Sequence, residues 1–166
     1  MNVLWAPWRG DYVMGPRAEG CFLCTAPAAG DDRGQRILHR GRRVFVILNS
    51  FPYNSGHLLV APFRHVARPE ELDGEERREL MDAVALSLQV LAAGLHPEGY
   101  NVGLNLGRAA GAGLEDHLHV HVVPRWVGDT NFMPVLADVK VLPEHLAATY
   151  EKLRAVLPAL PGAGTV

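Results

Sequence analysis

The chain has 166 residues, 48% of them apolar and 20% charged, with a net charge of −2. That is enough for one domain with its own hydrophobic core, and the balance excludes a disordered or disulfide-stapled class. There is no basic block, no apolar run of bilayer-spanning length and no leader-like pattern over Met1 to Gly10; duplex nucleic acid and membrane are not expected partners, and a cytoplasmic location is expected.

In chain order, residues 1–34 read as an irregular N-terminal segment. It holds Trp5-Ala6-Pro7-Trp8-Arg9, where Pro7 interrupts any regular ladder and the two indoles are expected to be pinned by burial. It also holds Cys21-Phe22-Leu23-Cys24. In a reducing compartment such a pair either binds metal or stays as free thiols. Residues 31–34 are polar and read as a loop. The core is expected over residues 35–126, with strands at 35–39 and 44–48 on either side of Gly41. Phe51-Pro52-Tyr53-Asn54-Ser55-Gly56 is a turn by composition, and a third strand is expected at 57–61. Asp73 suits an N-cap, with Glu76 three residues on; Leu80, Val84, Leu88, Leu91 and Leu95 follow at helical spacing until Pro97 and Gly99 end the helix. A fourth strand is expected at 100–106, and Gly107, Gly111 and Gly113 make the next loop poor in side chains. Pro124 ends or edges the strand that follows. Residues 127–166 form a C-terminal extension with a last helix at 144–157 and a frayed tail after Pro158. Nothing repeats and no linker divides the chain, so a single domain is expected.

The most informative stretch is His117-Leu118-His119-Val120-His121-Val122-Val123. In a strand, alternate side chains share a face. This segment therefore predicts three imidazoles in a row on one side, with Leu118, Val120 and Val122 turned to a core. Imidazole titrates near neutral pH, so such a row can keep one ring neutral and nucleophilic beside hydrogen-bonding neighbours. The glycine loop just before it offers backbone N–H groups to an anion.

The histidine row matches the signature His-apolar-His-apolar-His-apolar-apolar of the histidine triad family, and the chain resembles that family well beyond it. Leu48-Asn49 with Ser55-Gly56-His57-Leu58-Leu59-Val60 and Pro62, and Asn101-Val102-Gly103-Leu104-Asn105, are similar to further family blocks. Trp5-Ala6-Pro7-Trp8-Arg9, His121-Val122-Val123-Pro124-Arg125-Trp126 and Gly128-Asp129-Thr130-Asn131-Phe132 resemble a bacterial branch of diadenosine tetraphosphate phosphorylases and hydrolases. The resemblance implies an α+β fold, with an antiparallel sheet of about five strands carrying one long helix and a C-terminal helix. It also implies a homodimer with strands from both chains in one sheet.

The same resemblance implies the chemistry. His119 would attack the α-phosphorus of a dinucleoside polyphosphate and form a transient nucleotidyl-histidine. His117, His121 and His57, with the amides of Gly111 and Gly113, would stabilise charge on the transferring group. Asn49 would hold ribose hydroxyls, and Asn105 would contact the phosphate or leaving group. Mg²⁺ would accompany the polyphosphate. Relatives with the cysteine pair complete a tetrahedral Zn²⁺ site with two histidines, here His65 and His117 beside Cys21 and Cys24. Ala112 and Gly113 stand where many members have a side-chain donor, so the leaving group is left open. A phosphoramidate hydrolase, a metal-dependent hydrolase ligated by the histidine row and a non-catalytic nucleotide sensor are the alternatives. Water as acceptor makes a hydrolase, phosphate a phosphorylase.

Overall fold

Short β-branched runs build a five-stranded antiparallel sheet, β1 (Ile37–Arg40), β2 (Val44–Leu48), β3 (Leu58–Pro62), β4 (Gly99–Leu104) and β5 (Val120–Arg125). The computed structural model describes residues 20–130 and 144–160. The spatial order is β1-β2-β3-β5-β4, so β5 enters between β3 and β4 and occupies an interior position. β2 and β3 are buried along their whole length, because both faces of the sheet are covered there. Alternation sorts their side chains. Val44, Val46, Leu48, Leu58 and Val60 join the core under the long helix, whereas Phe45, Ile47, Leu59 and Ala61 join a second core on the opposite face. Helices α1 (Phe22–Ala28) and α2 (Asp32–Gln35) precede the sheet, and Leu23 and Ala26 of α1 cap the second core.

The long helix α3 (Gly74–Leu95) starts at the Asp73 cap. The Asp73 carboxylate accepts from the N–H groups of Glu75 and Glu76, and the Glu76 carboxylate accepts from Asp73 N–H at 2.9 Å. This reciprocal cap satisfies donors that a helix start leaves orphaned. Glu76 is buried and also accepts two hydrogen bonds from Arg64, at 3.0 and 2.7 Å. The Arg64 guanidinium holds its carboxyl down at about 2. Of the expected stripe, Leu80, Val84 and Leu91 are buried, while Leu88 and Leu95 pack at its margin. The helix stops at His96, which takes the left-handed conformation with φ 49°. The last helix, α4 (Leu146–Val156), lays Tyr150 and Leu153 into the main core, and the Tyr150 hydroxyl donates to Ile37 O at 3.0 Å.

Three expectations are corrected, and one is narrowed. Residues 31–34 are not a loop: Asp31 accepts from Gly34 N–H and caps the helical turn α2, which delays β1 to Ile37. Residues 22–28, read as irregular, are helical despite Pro27. Of the two readings of Pro124, the edge position holds: it does not end its strand. Pairing with β3 reaches only Val122, so beyond it β5 has one neighbour and tolerates a residue without an N–H. The histidine row is not all strand: the ladder begins at Val120. Residues 5–9 and 131–132 lie outside the described residues. No helix among the described residues is long and apolar enough to cross a membrane.

Candidate functional site

The site centres on β5 and the turn between β2 and β3. His57 is fully buried at the start of β3. Tyr53 N–H donates to its Nδ1 at 3.0 Å, and Asn49 Nδ2 lies 3.2 Å from the same atom. Nδ1 therefore accepts, and the His57 proton sits on Nε2. That Nε2 is 2.9 Å from His121 Nδ1. His121 Nδ1 accepts in turn and leaves its own proton on Nε2, which lies 3.5 Å from Asn105 Nδ2; both atoms are then donors that face the same space rather than partners of each other. His119 is buried, with Nδ1 2.8 Å from the backbone carbonyl of His117. A carbonyl only accepts, so Nδ1 carries the proton and Nε2 keeps its lone pair. The His119 and His121 rings meet edge-on at 4.9 Å between centroids. A free imidazole lone pair thus stands beside a ring N–H donor, the pairing that attack on a phosphoryl centre and anchoring of its oxygens require. Burial, reinforced by His119, pushes His121 down to about 4. His121 is neutral at pH 7.

The remaining expected residues are placed differently. The His117 ring does not line up with the other two. Its Nδ1 lies 3.2 Å from Cys21 Sγ, 3.4 Å from Cys24 Sγ and 3.3 Å from His65 Nδ1, and Cys24 Sγ is 3.3 Å from His65 Nδ1. All four donor atoms lie within 4.8 Å of one another and could together hold a metal ion. His117 Nε2 donates to Pro62 O at 2.8 Å, which leaves Nδ1 bare for ligation. Asn49 is held within its own turn, its Oδ1 accepting from Phe51 N–H at 3.0 Å. Gly111 and Gly113 stay on the β4–β5 loop, where Gly111 N–H donates to Arg108 O and Arg108 pairs with Glu115 at 3.0 Å.

A family model described as the HIT domain matches residues 33–127. The AP-4-A phosphorylase of Mycobacterium tuberculosis is 41% identical over 158 residues, covering 90% of this chain and 80% of that protein. The chain belongs to the histidine triad (HIT) family. A bis(5'-nucleosyl)-tetraphosphatase [asymmetrical] of Schizosaccharomyces pombe is 31% identical over 96 residues, covering 58% of this chain and 52% of that protein. Among solved structures, a Zn-bound histidine triad family protein from Mycobacterium smegmatis superposes with a TM-score of 0.66 at 25% identity, covering 83% of this chain and 92% of that one.

One residue of this HIT site escaped the reading of the sequence. Tyr53 gives its N–H to His57, and its ring stacks on His121 at 5.4 Å and tilts over His57 at 4.6 Å. Its only signal was an aromatic residue in a turn composed of Pro, Asn, Ser and Gly.

Proposed function

We propose that this HIT protein transfers the nucleotidyl group of a dinucleoside polyphosphate, with diadenosine tetraphosphate the leading candidate, to phosphate or water. The observation that carries this reading is the bare Nε2 of His119 beside the Nε2–H of His121. The 41% identity to an AP-4-A phosphorylase supplies the substrate class. His119 Nε2 attacks the α-phosphorus, the bond to the departing nucleotide oxygen breaks, and a nucleotidyl-histidine forms. His121 Nε2–H, relayed from His57, and Asn105 hold the phosphoryl oxygens, with the Gly113 amide on the polyphosphate side; the Gly111 N–H is spent on Arg108 O. The second lone pair of Asn49 Oδ1 is available to a ribose hydroxyl. Phosphate or water then attacks phosphorus and frees His119. Mg²⁺ accompanies the polyphosphate.

Cys21, Cys24, His65 and His117 hold a structural Zn²⁺. Ligand atoms of tetrahedral zinc, bonded at about 2.0–2.3 Å, sit roughly 3.3–3.8 Å apart, close to the spacing of this cluster. The ion would supply rigidity rather than a reacting group. His117 acts on catalysis through its carbonyl, as a positioning residue. The protein is a cytoplasmic homodimer paired through the edge strand β4, whose Val102 and Leu104 are exposed.

Incubation of the pure protein with diadenosine tetraphosphate tests the reading. ATP plus ADP in the presence of phosphate identifies a phosphorylase, and ATP plus AMP with water a hydrolase. Two ADP, or no turnover with either acceptor, overturns it.

A further inference from the structure

The turn between β2 and β3 does more than carry His57. Two donors converge on His57 Nδ1: the Tyr53 N–H at 3.0 Å and the Asn49 side-chain amide at 3.2 Å. The orientation of that amide is itself fixed, because Asn49 Oδ1 is taken by Phe51 N–H and Nδ2 also donates to Phe51 O at 3.2 Å. The turn is in turn bolted to the far end of β5. Asn54 is buried, and its Nδ2 donates to Pro124 O at 3.1 Å and to Asp129 Oδ2 at 2.8 Å. Asp129 also accepts from Arg125 Nε and Nη2, at 2.6 and 2.8 Å, and from Trp126 N–H at 3.1 Å. Asn54 O accepts His57 N–H at 3.1 Å, so the bolt grips the residue that presents the imidazole. The Tyr53 ring covers both imidazoles of the relay on the outer side.

We infer that Asn49, Tyr53 and Asn54 form a proton-order clamp: they hold His57 as the Nε2–H tautomer, and thereby keep the proton of His121 on the nitrogen that faces substrate. A neutral imidazole in water samples both tautomers. Were the His57 proton to move to Nδ1, its Nε2 would turn acceptor and draw the His121 proton onto Nδ1. The substrate side of His121 would then present a lone pair to a phosphate oxygen, which repels it. Asn49, Tyr53 and Asn54 are positioning residues in this scheme, since they act through His57 and His121. The inference deepens the catalytic reading and its activity arm rests on that reading. The tautomer itself does not.

Long-range ¹H–¹⁵N NMR of the full-length, histidine-labelled protein without substrate reads the tautomer of each ring directly. His57 and His121 are expected as single Nε2–H tautomers at neutral pH. Tyr53→Ala, which keeps the amide, should preserve that pattern. The Tyr53→Pro, Asn49→Leu pair, which removes both donors, should give mixed tautomers at His57 and His121. It should also lower kcat/KM for the dinucleotide at least about tenfold. An Nδ1–H tautomer at His57 in the unmodified protein overturns the clamp without any variant having to fold. A folded double variant with unchanged tautomers overturns it as well. Nε2–H tautomers at His57 and His121 in the unmodified protein, with no nucleotide turnover, would reject the catalytic reading and leave the clamp standing.

Discussion

At His119 the decisive feature is which nitrogen carries the proton. The His117 carbonyl fixes it on Nδ1, and replacing the ring removes the group proposed to bond phosphorus. His119→Ala should lower turnover of diadenosine tetraphosphate by about a thousandfold or more with the fold intact by circular dichroism. Full turnover in that variant would end the covalent reading. His121 makes a second prediction. Its pKa is held down to about 4, mainly by burial, below the value near 6.5 of an unfolded histidine. The unfolded chain therefore binds a proton that the folded chain refuses between those values. Stability contributed by this neutral ring is present above about pH 6.5 and is lost as pH falls toward 4. Thermal midpoints measured across that window should fall, and His121→Asn should flatten the slope.

Elements show where the sequence was legible and where it was not. The alternation around β5 was readable because Val120 and Val122 enter the core while His121 turns to the opposite face. The departure of His117 was not. A period of two presumes an unbroken ladder, but Leu118 N–H leaves it to bond Val66 O, on the connection after β3, at 2.6 Å. That bond turns His117 toward the cysteines, a contact set by chain segments far apart in sequence. α1 was missed because only Leu23 and Ala26 are buried on it, too short a stripe to outvote Pro27. The start of α3 was legible in full, since Asp73 and Glu76 carry their meaning in a local spacing. Asp73→Ala should cost about 1 kcal/mol by denaturant unfolding. A change indistinguishable from zero would mean that the Arg64–Glu76 pair alone secures this helix start.

For the whole molecule, the four-ligand cluster joins α1, the connection after β3 and the lead-in to β5, segments otherwise distant along the chain. Metal analysis should find about one zinc per chain, and Cys24→Ala should purify without it and melt at a lower temperature. Metal-free protein of unchanged melting temperature would refute a structural ion. Assembly is a separate matter. Val102→Asp together with Leu104→Asp puts charges on the β4 edge and should yield monomers by sedimentation, whereas an unaltered mass would place any dimer contact elsewhere. Finally, His117 touches the cluster with its ring and His119 Nδ1 with its carbonyl. One duty belongs to the side chain and the other to the peptide unit, so mutagenesis can pull them apart. His117→Cys keeps a soft donor in the cluster and the same acceptor for its neighbour two residues on. Its survival or failure would reveal whether the imidazole itself is indispensable or merely one adequate way of pinning down that peptide.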